Sequence, residues 1–115
     1  MRANELRIQN TINHKEKGLI TIKGITEHCG DYKIDTDLGW VYLKNCKPIP
    51  LTEEWLIKFD ITKNNGYPYK FLNGFIKIRN GVYFYKYYDL DIELEFVHQL
   101  QNLYFTLTGE ELTIK

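Results

Sequence analysis

Only one long segment of the chain carries apolar residues at helical spacing. Over 96–107, Phe96, Leu100, Leu103 and Leu107 form a single stripe flanked by Val97 and Tyr104. Gly109 follows, where a left-handed residue closes a helix. This stripe predicts a helix buried along it. The opposite side of the wheel carries His98, Gln99, Gln101 and Asn102, with Phe105 set among them. That polar side reads either as a binding or subunit surface or as a place where Phe105 packs beneath a loop or the C-terminal tail.

The rest alternates with a period of two and predicts short strands. Leu6 and Ile8 flank Arg7 as a short strand or its approach, and 14–18 is a polar turn. Residues 19–25 are rich in β-branched side chains and read as a strand, with a bulge expected near Gly24. Turns at 28–31 and 37–39 separate strands over 32–35 and 40–43. Strands this short and this closely spaced suggest a curled sheet or an SH3-like small barrel. Pro48 and Pro50 then make an extended connector. Thr52 offers a hydroxyl N-cap to a short helix that carries Glu53 and Glu54 in its first turn and buries Trp55, Leu56 and Phe59.

A second group of strands starts at Tyr67. Asn80-Gly81 between two apolar runs is a two-residue type I′ hairpin, which places Ile78 opposite Tyr83 and Ile76 opposite Tyr85. Lys77, Arg79, Phe84 and Lys86 fall on the other face. Leu90, Ile92, Leu94 and Phe96 alternate with Asp89, Asp91, Glu93 and Glu95 as a half-buried strand that leads into the helix, and Leu112 and Ile114 suggest a last short strand. The expected fold class is α+β: short antiparallel strands in one or two small sheets, a short middle helix and a longer C-terminal helix. The expected organisation is a single domain over 1–115, with a strand meander over 1–50 and the helix, hairpin sheet and C-terminal helix over 51–115.

Composition narrows the function classes. Fifteen basic and 15 acidic residues give zero formal net charge, which argues against general nucleic-acid binding while leaving room for a local basic pocket. No apolar run approaches membrane-spanning length, and the N-terminus lacks the apolar core of a signal peptide, so the expectation is a cytoplasmic protein with no membrane partner. Two cysteines, Cys29 and Cys46, are expected as thiols in a reducing compartment. Low net charge also suits association, and a homo-oligomer is expected.

Three blocks, ANELRI, PIPLTEEWLIKF and VHQLQNLYFTLTGEEL, resemble in sequence and order a family of small proteins from phages and prophages of Bacteroidetes. That family more often carries glycine at the position of Gln9 and alanine at that of Thr106. The resemblance brings no site residues. It implies an accessory phage protein that acts in a bacterial cytoplasm.

Candidate chemistry is sparse. The ladder Asp89, Asp91, Glu93, Glu95 has the spacing of paired carboxylates or of a divalent-ion site, but it also reads as a solvated face opposite Lys77, Arg79 and Lys86. His14, His28, Cys29, Cys46 and His98 lack any metal-ligand spacing, so no metal and no cofactor is assigned. The chain has no serine, which excludes a serine nucleophile. Aromatic residues are abundant, with 9 Tyr, 6 Phe and 2 Trp. Trp40, Tyr42, Tyr67 and Tyr69 near Lys44 and Lys70, and likewise Tyr87 beside Lys86, could stack a base and hold its phosphates, or could simply be strand packing.

With His98, Gln101, Asn102 and Phe105 of the helix, these form the candidate ligand-binding set. The leading expectation is a non-enzymatic phage accessory protein that sequesters a small anionic, nucleotide-derived immune signal of the host. The alternatives are a protein–protein inhibitor or assembly component that contacts a host protein through the C-terminal helix, and a metal-dependent hydrolase built on the acidic ladder.

Overall fold

The computed structural model describes residues 3–61 and 69–114, and the backbone alone of His28. The chain is α+β, with two antiparallel sheets, one short helix and one longer C-terminal helix. It forms two compact units, Met1–Ile49 with Phe96–Glu111, and Pro50–Glu95 with Leu112–Lys115.

The first unit is a five-stranded sheet in the order β4-β3-β2-β1-β5. Its strands are β1 (Thr11–His14), β2 (Gly18–His28), β3 (Asp31–Thr36), β4 (Gly39–Tyr42) and β5 (Cys46–Lys47), with a 3-10 turn at Leu43–Asn45 before the last. The fifth strand returns through this turn to pair with the first, so the sheet is a meander with β5 added beside β1. The long β2 belongs to both halves of the sheet, and its pairing with β3 shifts register between Ile22 and Gly24, where a bulge was expected. A bulge bends a strand and increases its twist, which lets β2 serve two neighbours. Ile12, Ile20, Ile22, Ile34, Val41, Leu43 and Cys46 form the core, with Leu6 packed against it.

The first strand lies later in the chain than alternation at 6–8 predicts. Residues Ala3–Glu5 form a 3-10 turn, and the pairing residue stretch is Thr11–His14, whose Ile12 is fully buried while Ile8 is half exposed. Two apolar residues around one arginine were too short a signal to separate a strand from a turn that tucks one leucine inward. Gln9 stands in the left-handed region at φ 79°, so the turn forms without glycine.

The C-terminal helix, α2 (Val97–Thr108), belongs to this first unit. Its start is secured by the Gln99 side chain, which accepts the Phe96 N–H at 3.0 Å, and Gly109 closes it at φ 75°. The buried face differs from the predicted stripe. Val97, His98, Leu100 and Gln101 are buried, whereas Leu107 is 50% exposed. The buried side is turned by about one residue, or about 100°. An apolar count misses it because two of the buried side chains are polar.

The second unit holds α1 (Glu53–Lys58) and a four-stranded sheet in the order β6-β7-β8-β9. These strands are β6 (Tyr69–Phe71), β7 (Gly74–Arg79), β8 (Val82–Tyr87) and β9 (Leu90–Leu94). The Asn80-Gly81 hairpin has the predicted register, Ile76 opposite Tyr85 and Ile78 opposite Tyr83, with both turn residues at positive φ. Trp55, Leu56 and Phe59 are buried as expected. Thr52 opens α1 through its carbonyl, which accepts from Trp55 and Leu56, and not through its hydroxyl. Leu112 is buried but 110–114 forms no strand, and the predicted strand start at Tyr67 lies outside the described residues.

Two glycines of this sheet separate packing from backbone strain. A Cβ on Gly74 would run into the Lys86 carbonyl oxygen and touch the Tyr85 ring, whereas at Gly81 it would meet nothing but sit at φ 79°. Gly74→Ala is expected to destabilise the protein by about 2–3 kcal/mol or more, and Gly81→Ala by about 1–2 kcal/mol. Urea unfolding of both variants checks this, and equal losses would contradict the close approach at Gly74.

Candidate functional site

The candidate residues fall into three places. The first is the outer face of β3 and β4. Register pairs Ile34 with Val41 toward the core, so Lys33, Asp35, Trp40 and Tyr42 point outward. Trp40 and Tyr42 meet edge to face at 5.1 Å between ring centres, and Trp40 is 51% exposed. The Lys33 ammonium lies 5.0 Å from the Trp40 ring and the Lys44 ammonium 5.2 Å from the Tyr42 ring.

Lys44 also borders two neighbouring clefts. One, of about 310 Å³, is lined by Gly30, Asp31, Tyr32, Leu43, Lys44 and Cys46. The other, of about 290 Å³, is lined by Asn13, Lys15, Lys44, Asn45 and Lys47. Pairing of β1 with β5 sets Asn13 opposite Lys47, and the Lys15 N–H donates to the Asn45 carbonyl at 3.1 Å, which brings three lysines to one concave surface. Among the described residues no carboxylate lines this second cleft. Lys44 and Asp31 stand 3.8 Å apart as an exposed pair, which contributes little to stability. The arrangement can hold an anion against the lysines and offer a ring beside it.

Sequence reasoning singled out Trp40, Tyr42 and Lys44 and missed Lys15, Lys33 and Lys47. The alternation over 32–35 together with the turn at 37–38 was enough to place Lys33 beside Trp40. Lys15 and Lys47 join through a strand pair about thirty residues apart in sequence, for which no local signal exists.

The second place is the inner side of α2, where His98, Gln101, Asn102 and Phe105 face the N-terminal segment and β1. Gln101 Oε1 accepts the Thr11 N–H at 2.9 Å and its amide donates to Thr11 Oγ1 at 3.3 Å. Asn102 Oδ1 accepts from Asn10 Nδ2 at 2.8 Å and from Arg7 Nε at 3.2 Å, while its amide donates to the Glu5 carbonyl at 3.0 Å. Arg7 lies 4.2 Å above the Phe105 ring and pairs with Glu111 at 2.6 Å. The polar face of the helix is thus turned inward, and its amides bond within the unit.

His98 is 1% exposed and stacks on Phe96, with ring centres 5.7 Å apart. Among the described residues neither of its ring nitrogens has a hydrogen-bond partner, and the Glu5 carboxylate stands 3.9 Å from Nε2. Burial lowers its pKa below 6.5, and the nearby Glu5 carboxylate opposes that shift.

The third place is β6. Tyr69 is buried on the inner face of the second sheet, where burial and the neighbouring Glu53 carboxylate push its hydroxyl up to about 12. Lys70, the next residue, points to the opposite face. Tyr67 lies outside the described residues.

Burial raises the Cys46 thiol pKa, which keeps it protonated and a poor nucleophile. Among the described residues no three His, Cys, Asp or Glu side chains converge as metal ligands. In the acidic ladder, Asp91 pairs across the sheet with Lys86 and Glu93 with Phe84. No helix among the described residues is long and apolar enough to cross a membrane.

Because the unfolded chain takes up a proton on His98 more readily than the native protein does, its contribution to stability is complete above the ordinary imidazole pKa. That contribution is lost as pH falls from there toward the native value. Urea midpoints across that range should fall with pH in the parent protein and fall less in His98→Leu; identical slopes would remove His98 as the source. Comparison of the chain with protein-family models, with curated proteins and with solved structures finds no match.

Proposed function

We propose that the protein is a non-enzymatic binding module that captures a small anionic, nucleotide-like ligand on its first unit. The observation that carries this reading is the junction at Lys44. The Trp40–Tyr42 pair lies on one side and the cleft lined by Lys15, Lys44 and Lys47 on the other. A base stacks on the exposed Trp40 ring while phosphate oxygens take the lysines, a division of labour that suits a nucleotide and not a neutral metabolite. The phage-family resemblance of the three sequence blocks supports placing this capture in counter-defence, as sequestration of a host immune signal. On this reading the ligand leaves chemically unchanged.

A second reading rests on the exposed end of α2, where Leu107 is 50% exposed. On that reading the helix end contacts a host protein, and Leu107→Asp abolishes the association while the fold persists.

Native mass spectrometry of the protein after exposure to lysate of infected, defence-active cells distinguishes them. Sequestration predicts a small adduct that is released intact on denaturation, and the same spectrum gives the subunit count. Trp40→Ala combined with Lys44→Gln should lower adduct occupancy at least about tenfold, from loss of one stacking and one charged contact. An adduct unaffected by the double substitution would move the site elsewhere, and an altered ligand would make the protein an enzyme.

A further inference from the structure

The second unit presents a face that the reading above leaves unused. Strand register places six residues together on the outer side of β6–β8. Lys70 stands opposite Phe75, Phe75 opposite Lys86, and Lys77 opposite Phe84, with Arg79 at the end of β7. The inner side of the same strands carries the buried Tyr69, Phe71, Ile76 and Tyr85, so the outer side is not a second core. Phe75 nevertheless exposes 44% of its surface, although a solvated strand position costs nothing to fill with a polar residue. Phe84 is half-buried, and the Arg79 guanidinium rests 5.1 Å from its ring centre. The border strand β9 adds Asp91 and Glu93 opposite Lys86 and Phe84. The face therefore holds four cations, two rings and two carboxylates confined to one edge. Zero net charge over the whole chain conceals this local excess.

We propose that this sheet face binds single-stranded nucleic acid, with bases stacked on Phe75 and Phe84 and phosphates held by the surrounding lysines and Arg79. The pairing makes Phe75 and Phe84 diagonal neighbours on adjacent strands, about 7–8 Å apart. That is roughly twice the 3.4 Å spacing of bases along one strand of a duplex, so each ring takes its own base only from a strand that is unstacked and extended. A duplex offers no base faces to the rings and loses their contribution. A base that arrives over Phe84 displaces Arg79, whose guanidinium then turns to a phosphate. Stacking of this kind tolerates any sequence. Charge complementarity selects a polyanion, and the two rings select one with planar groups.

The test is fluorescence anisotropy of the full chain with labelled oligothymidylate of about twelve nucleotides. The same duplex length and a polyglutamate of similar charge serve as comparison probes. The proposal predicts that the single strand binds more tightly than either. It also predicts a loss of about 20- to 50-fold between about 50 and 200 mM salt, as expected for three or four phosphate contacts. Phe75→Ala should weaken binding about tenfold while Phe75→Trp preserves it, a contrast that stays readable even where Phe84→Ala impairs folding. Lys77→Gln should flatten the salt dependence. No binding of the single strand at about 100 μM, the weak end of non-specific affinities, would overturn the proposal. So would duplex or polyglutamate bound as tightly as the single strand, or affinity indifferent to Phe75→Ala, since either outcome reduces the face to a charged surface.

Discussion

A side-chain amide taken out of water must recover its hydrogen bonds from the protein, and the way Gln101 and Asn102 do so holds the first unit together. Thr11 begins β1 beyond the reach of β5, which pairs only with Asn13 and His14. Its backbone N–H is taken instead by Gln101. Asn102 joins Asn10, Arg7 and the Glu5 carbonyl, groups more than ninety residues earlier in the chain. Removing either amide would take more than one hydrogen bond at once, from Thr11 in the case of Gln101 and from Asn10, Arg7 and the Glu5 carbonyl in the case of Asn102. The network also fixes which way α2 is turned, and so leaves Leu107 outside while His98 goes inside.

The second unit is spliced into the first, and each closes on itself at the splice. The Val97 N–H donates to the Ile49 carbonyl at 2.8 Å, which brings the two interrupted ends of the first unit side by side. Leu51 and Glu95 do the same for the second unit at 2.9 Å. An inserted segment whose ends lie close together disturbs its host least, because the host chain continues as though across a short loop. Pro50 at this point fixes an extended backbone and lacks the N–H that a helix would need.

Each unit also presents rings beside cations, but in different shapes. The first offers a cleft lined by three lysines, one of which lies 5.2 Å from the Tyr42 ring. The second offers an open strand surface with rings spaced diagonally. A concave site suits a compact ligand whose charge is concentrated, whereas an open face suits one whose charge is spread along a chain. The buried His98 stands apart from both, stacked on Phe96 with the Glu5 carboxylate 3.9 Å from its Nε2.

Local order was readable from the residues themselves wherever one short-range rule was strong. Asn80-Gly81 set its hairpin and register because asparagine and glycine tolerate the two successive positive φ angles of that turn. The strands from 19 to 43, the bulge near Gly24, the buried face of α1 and the glycine cap of α2 follow from similarly local chemistry. Trp40, Tyr42 and Lys44 could be grouped for the same reason, being neighbours along one strand and the turn after it.

What the residues alone left open depended on partners distant in the chain. The inward turn of His98 and Gln101 needs Glu5 and Thr11 opposite them, and an apolar count scores such side chains as solvent-facing. Lys15 and Lys47 gain meaning only when β5 returns to β1. The α+β class and most elements were thus determined by sequence through backbone preference and periodicity. The burial of the helix, the assignment of α2 to the strands of the first half, and the gathering of lysines were decided by tertiary pairing, because long-range contacts choose among faces that local rules leave equivalent.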